Sequence, residues 1–303
     1  MRQELSIARR AMACEFSVTF PAGFRRAVDA GCAALDEIER LEAKLSAYEP
    51  ESEVSRLNRA AFERTVHVDA EVCEILNLAA RVTEATGGAF DAATGALIKA
   101  WGFYAGPKRV PGEKELAAAR AASGMAHVRL ENRSVRFLRA GLEINLGSIG
   151  KGYAIDRAAG VLPSGSALID GGRSSLRAIG GWQVAIGDPF RPGRALGNMW
   201  LKDRALGTSG SAHQFFVQNG RRYGHILDPR TGRPAEGLAG ASVCAPTAAE
   251  ADALSTAFFV LGIDAAREYC REHPEIGAVL VTQPGADGRA RVAVTGNIRM
   301  ERI

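Results

Sequence analysis

Apolar side chains at Val28, Cys32, Leu35, Ile38, Leu41 and Leu45 recur in steps of three and four, which predicts an amphipathic helix over 25–46. Just before it, the alternation in "EFSVTF" predicts a strand. Helical spacing returns over 70–86 and stops at Gly87 and Gly88, and a short Ala-rich helix is expected over 113–122. "LSAYEPESEVSRLN" breaks the pattern with Pro50 and a Ser/Glu cluster and reads as a loop. "HVRLENRSVRFL" predicts two strands about an Asn-centred turn, and "LEINLGSIGKGYAIDRAAGVL" a strand, a glycine loop and a helix. "SALIDGGRSSLRAIG", "WQVAIGDP" and "RALGTSGSAHQFFVQNGRRYGHILDP" add strands, the last around an Asn-Gly hairpin turn. "APTAAEADALSTAFFVLG" has both helix ends marked: Thr247 and Glu250 stand at capping-box spacing, and Gly262 can close the C-terminus. "GAVLVTQ" and "ARVAVTG" complete the sheet material. Helices and strands mix without regular βαβ alternation, so the expected class is α+β. There is no repeat, low-complexity tract or long linker, and the length could hold two domains or one large interleaved one.

Composition adds exclusions. Of 303 residues, 38 are basic and 34 acidic, a net charge of +4. The basic residues are scattered, with no long Lys/Arg run and no aromatic interleaving, so nucleic acid is not an expected partner. Five widely spaced cysteines without a CxxC pair argue against a disulfide framework or a zinc knuckle. No apolar run approaches the ~18 residues of a membrane span. "MRQELSIARRAMACEF" has no apolar run of signal-peptide length, so the expected location, for the sequence as written, is cytoplasmic; a sequence trimmed of an export leader would look the same.

Candidate chemistry lies in short stretches, each with a plain structural alternative. Asp252 and Thr256, four apart on the last long helix, offer two oxygen donors one turn apart, half of a hard-cation site such as Mg2+; the same spacing fits a solvated Asp on a polar helix face. In "NLGSIGKGYA", Gly147, Gly150 and Gly152 could expose backbone to a ligand beside Lys151, or simply form a tight turn; the run is neither a Walker A loop nor GxGxxG. "GGAFDAATG" sets Phe90 beside Asp91, a flat wall next to an acceptor, or a core anchor. Tyr48 in its polar loop is either a stacking ring or a core-edge side chain. Gly171 and Gly172 could admit a ligand or make a strand-to-strand turn. Thr208, Ser209 and Ser211 are hydroxyls in a glycine turn without the GxSxG elbow of a hydrolase. "HILDPRTGRP" is a rigid turn that needs Pro and Gly but does not need His225, a side chain suited to general-base work; Asp228 before Pro229 can make an Asx-type turn. His67, His127, His213 and His273 have no evident partners.

Taken in order, "LSAYEPESEVSRLN", "GGAFDAATG", "NLGSIGKGYAID", "ALIDGGRSSLRAIG", "GTSGS", "HILDPRTGRP" and "ADALSTAFFVLG" resemble the ApbE-type family, the FAD:protein FMN transferases, from about Met12 to about Gly262. The resemblance implies a single domain over residues 1–303, an α+β fold of two interleaved lobes with FAD in a cleft between them, and Mg2+ on its diphosphate. It implies transfer of the FMN half of FAD to a Thr or Ser hydroxyl of an acceptor protein, such as a redox-complex subunit, with release of AMP. By position, the family's flavin contacts fall on Met12, Tyr48, Phe90, Asp91, Ala92, Asn145, Lys151 and Ile226. The metal site falls on Asp252, Thr256 and the carbonyl of Ser148. His225 matches the family's proposed activator of the acceptor hydroxyl, with Asp228 fixing its loop. Asn145 stands where many members carry Asp, and "MACEF" replaces the commoner Met-Gly-Thr. Members are often periplasmic lipoproteins, yet Cys14 follows "ARR" rather than a lipobox. An FAD diphosphatase yielding FMN and AMP, and a non-catalytic FAD-binding protein, remain the alternatives.

Overall fold

A computed structural model describes residues 4–104, 106–211, 214–285 and 288–303; His213 lies outside them. The chain forms two compact units from interleaved segments, Met1–Glu42, Ile149–Gly210 and Leu238–Ile303 in the first and Ala43–Ser148 and Ser211–Gly237 in the second. Among the described residues, no helix is long and apolar enough to cross a membrane.

The first unit is organised by an eight-stranded sheet of β1 (Glu4–Ala11), β2 (Cys14–Pro21), β6 (Ala167–Gly171), β7 (Ser175–Ile179), β10 (Ala205–Gly210), β15 (Leu238–Ala245), β16 (Gly277–Thr282) and β17 (Val292–Gly296), paired in that order. Every pairing is antiparallel, in keeping with the expected α+β class. Central β15 is buried at every position, as a strand covered on both faces must be. A three-stranded sheet of β8 (Gly181–Gly187), β9 (Ala195–Lys202) and β18 (Met300–Arg302) supplies Trp182, Val184, Ile186, Met199 and Leu201 to a cluster with Leu176, Leu206, Cys244 and Val279 of the large sheet. The unit's helices are α1 (Ala27–Leu45, up to Glu42), α6 (Gly150–Val161), α7 (Ala248–Leu261) and α8 (Ile263–Glu272). Helix α7 lies on β10 and β15 and against α6, and is buried almost all round. It begins and ends where expected: Thr247 Oγ accepts the Glu250 N–H at 3.2 Å, and Gly262 closes the helix at φ 83°.

The second unit holds α2 (Glu53–Ala60), α3 (Ala70–Ala85), α4 (Gly95–Ala100) and α5 (Glu113–Ala121). It also holds a sheet ordered β3 (Val66–His67), β5 (Ser134–Phe137), β4 (Val128–Glu131), and the hairpins β11 (Phe215–Gln218) with β12 (Arg221–Gly224) and β13 (Leu227–Asp228) with β14 (Arg233–Pro234). Its core joins Leu97, Trp101, Leu116 and Leu227, with Phe216 and Tyr223 against them.

Two expectations fail locally. The stretch expected to be a loop around Pro50 contains α2, because Ser52 caps a helix by accepting the Ser55 N–H at 2.9 Å. The strand expected at "LEIN" is absent: the Asn58 side-chain amide bonds Ile144 N–H (2.8 Å) and Ile144 C=O (2.9 Å), and Asn145 N–H goes to Ala92 C=O (2.8 Å). One amide side chain has taken the place of a neighbouring strand.

Candidate active site

Asp252 sits in the second turn of α7, 7% exposed. Two glycines let neighbouring backbone reach it. A Cβ on Gly152 would fall 2.1 Å from Ala248 O, and one on Gly207 would fall 2.4 Å from Ala251 C and O, so α6 and β10 both press on the start of α7 at positions with no side chain. At that distance Gly152 N–H donates to Asp252 Oδ2 (2.8 Å), and Ser175 Oγ donates to the same oxygen (2.9 Å). Burial nevertheless pushes the Asp252 carboxyl up to about 7, against the opposing pull of Lys151 and these two donors. The expected alternative, a solvated Asp on a polar face, is therefore ruled out: α7 has no solvated face at this point.

Hydroxyls surround the same turn. Ser209 Oγ lies 2.8 Å from Ser255 Oγ and 3.1 Å from Thr256 Oγ, while Ser255 Oγ donates to Asp252 C=O at 2.8 Å. Thr208 Oγ pairs with Ser242 Oγ at 2.9 Å. Ser209 thus occupies a strand rather than a strand-to-helix elbow, and its hydroxyl bonds to α7. A buried carboxylate that would be half protonated near neutrality, set among hydroxyls, is a hard-oxygen environment that a divalent cation fits. Among the described residues no group of three or more His, Cys, Asp or Glu is placed so that it could hold a metal ion.

Lys151, on α6, gives its ammonium to Ser174 Oγ. Asp156, one turn further along α6, accepts the Ala248 and Ala249 N–H groups at 2.9 Å each and so caps α7 from outside. Neither Ser175 nor Asp156 was singled out from sequence. The available signal was the spacing of Gly152 and Asp156, four apart on one face of α6. Met12 occupies the two-residue turn joining β1 to β2, with φ 46° for Met12 and 61° for Ala13. That geometry normally calls for Asn-Gly, so the turn holds a bulky side chain in a strained backbone.

In the second unit, the rigidity of "HILDPRTGRP" has a visible cause. Asp228 grips Arg230 through two parallel bonds of 2.9 Å, and its carbonyl accepts the Thr231 and Gly232 N–H groups at 3.2 and 2.8 Å. Trp101 Nε1 donates to Gly232 C=O at 2.8 Å, tying the turn to the end of α4. Asp228 thus fixes the loop and is not bonded to His225. The His225 ring, partly buried with its edge to Phe103, places Nδ1 3.1 Å from Gln214 C=O. A carbonyl only accepts, so Nδ1 carries the hydrogen and Nε2 keeps the lone pair. Burial, with Lys108 adding to it, pushes the imidazole below its ordinary value, so the ring is a neutral base at neutral pH.

The expected flavin contacts of this unit divide. The Phe90 ring is 1% exposed and belongs to the core, so it provides no open wall. Asp91 accepts the N–H groups of Ala93 (2.7 Å) and Met125 (2.9 Å), and burial raises its carboxyl. Ala92 and Ile226 are buried, and Asn145 turns its Oδ1 onto Gly147 N–H at 2.9 Å. Tyr48 is 58% exposed, an open ring rather than a core-edge one. Ser148 lies in the turn that leads into α6.

The ApbE family model matches residues 12–280. An FAD:protein FMN transferase of Klebsiella pneumoniae (strain 342) is 33% identical over 258 residues, 79% of this chain and 72% of the relative. That of Treponema pallidum (strain Nichols) is 32% identical over 297 residues, 88% and 82%. The crystal structure of the ApbE protein of Thermotoga maritima MSB8 superposes with a TM-score of 0.87 at 30% identity and 97% coverage of both chains. The apo form of Pseudomonas stutzeri flavinyl transferase ApbE gives 0.84 at 25% identity, covering 97% and 95%. The order of motifs, the mixed α and β architecture and these matches agree, and the chain belongs to the ApbE family.

Proposed function

We propose that this protein transfers FMN from FAD to a Thr or Ser hydroxyl of an acceptor protein and releases AMP. The acceptor oxygen attacks the FMN-side phosphorus; an O–P bond forms there, and the bond from that phosphorus to the bridging oxygen breaks. The bridging oxygen leaves on AMP. His225 Nε2, the free lone pair of a ring whose other nitrogen is held by Gln214 C=O, takes the hydroxyl proton. Asp228 and Trp101 hold that loop in place. Asp252 and Thr256, with the Ser148 carbonyl, would hold a divalent cation, Mg2+ being the fitting choice, which would neutralise diphosphate charge. Lys151 adds positive charge near Asp252. Met12, Tyr48, Asn145 and Ile226, with the Phe90–Asp91–Ala92 backbone, would contact the flavin nucleotide.

The observation that carries this reading is the buried Asp252, its Oδ2 held by Gly152 N–H and Ser175 Oγ, a carboxylate whose charge burial disfavours and a bound divalent cation would favour further. The test is FMN transfer to a co-expressed redox subunit across a Mg2+ titration. Transfer that persists in excess chelator contradicts the metal role. Rapid FMN release without an acceptor makes the protein a diphosphatase, and stable stoichiometric FAD without product makes it a carrier.

A further inference from the structure

Tyr48 does not stand alone. Its ring is stacked on Tyr104, with centroids 4.6 Å apart and planes inclined by 16°. Tyr104 hydroxyl donates to the carbonyl of Ala47, the residue directly before Tyr48. Lys99 Nζ lies 4.9 Å from the centre of the Tyr104 ring, and the same ammonium pairs with Glu143 at 2.5 Å. Along this stack stand an exposed, salt-bridged lysine, a tyrosine and a second tyrosine that is still 58% exposed. An exposed aromatic ring in a polar loop ordinarily samples several rotamers, and fixing it on binding costs free energy. Here one face is covered and the adjacent backbone is tied by the same residue that covers it.

We infer that Tyr104 is a positioning residue for flavin binding: it backs the Tyr48 ring and anchors its main chain, so that the open face of Tyr48 is presented as a ready platform for a planar heterocycle. This rests on the proposed contact of Tyr48 with the flavin nucleotide, taken as stacking on its ring system. Lys99 acts one layer behind, its cation over the Tyr104 face holding that ring flat. Tyr104 itself does not touch the flavin; it changes how much ordering Tyr48 needs when the flavin arrives.

The experiment is FAD titration of the full chain in excess chelator, followed by the shift of the flavin visible absorption, for the wild type and the variants Tyr48→Ala, Tyr104→Phe and Tyr104→Leu. Thermal melting without FAD runs alongside. Tyr48→Ala should weaken FAD binding and remove the stacking-dependent part of the spectral shift. Tyr104→Leu, which keeps bulk but not the ring, should raise Kd about three- to tenfold, the range for loss of one aromatic pair. It should also reduce the spectral shift of flavin that is fully bound. Tyr104→Phe keeps the stack and loses only the bond to Ala47, so its Kd should stay within about threefold of wild type. A Tyr104→Leu variant with wild-type Kd and spectrum, alongside a weakened Tyr48→Ala, overturns the positioning role and leaves the Tyr48 contact standing. An unaffected Tyr48→Ala overturns the contact on which the inference rests. Equal losses in Tyr104→Phe and Tyr104→Leu would move the role from the ring to the hydroxyl and overturn the stacking account. Weaker binding that tracks a lowered melting temperature, with an unaltered spectrum of bound flavin, would make Tyr104 merely structural.

Discussion

Replacing Asp252 by Asn should stabilise the metal-free protein at alkaline pH and not at acidic pH. Asn keeps an oxygen for Gly152 N–H and Ser175 Oγ, so the two bonds to Oδ2 survive while the charge is removed. Burial lifts the Asp252 carboxyl from 3.8 to about 7, a difference worth about 4 kcal/mol at 1.36 kcal/mol per pH unit. Because the folded value lies above the unfolded one, the native state binds the extra proton. The group's favourable contribution is complete below the unfolded value and is lost as pH rises through about 7. Between pH 5 and pH 8 the wild type therefore gives up about 3 kcal/mol that the Asn variant, having nothing to titrate, retains. For a chain of this size that is a change of roughly 5 °C in the difference between the two melting temperatures. The assay is thermal melting of both proteins in chelator across that pH range. With saturating FAD at pH 8, added Mg2+ should raise the wild-type melting temperature and leave the variant's nearly unmoved. A melting difference that is constant from pH 5 to pH 8, or that grows in favour of Asp, would refute the buried, cation-compensated carboxylate.

Three further outcomes follow from the same geometry. His225→Ala should slow transfer by about 10^2- to 10^4-fold with FAD affinity nearly unchanged; equal slowing of FAD binding would reject the base role. With saturating Mg2+, which holds Asp252 ionised, the wild-type acid-side fall in transfer rate should lie below pH 6.5, since burial lowers the imidazole from that ordinary value and the base form persists until the ring protonates. Gly152→Ala forces a methyl to within 2.1 Å of Ala248 O, so it should cost about 1–3 kcal/mol in denaturant unfolding and raise the Mg2+ concentration needed for transfer, and wild-type behaviour in both would show that α6 and α7 can part freely.

How legible all this was depended on whether the deciding contact was local. The ends of α7 could be read because Thr247, Glu250 and Gly262 act within one turn of themselves. The Asn219-Gly220 hairpin could be read because φ of 52° and 75° is a property of the dipeptide. The family could be read because seven short runs keep their order over most of the chain. Asp252 was visible as an oxygen donor but not as a buried one, since its burial comes from Gly152 and Gly207 bringing α6 and β10 onto α7 across long sequence separations. Ser175 stands 77 residues from the carboxylate it serves, and no periodicity marks such a pair. Helix α2 was obscured by Pro50 and its polar composition, although Ser52 in fact caps it. "LEIN" has the look of a strand and fails because Asn58, 86 residues away, satisfies its backbone first. The order of the eight strands, with β2 beside β6 and β7 beside β10, is set by packing that no local pattern encodes.

The most direct test is intact-protein mass spectrometry of a co-expressed flavin-carrying subunit, with this chain as wild type or as Asp252→Ala, in Mg2+ or in chelator. One FMN should appear on a hydroxyl residue only with the wild type and the metal. Modification of equal extent in the Asp252→Ala arm, or in chelator, would show that the buried carboxylate of α7 is not where the reaction draws its cation.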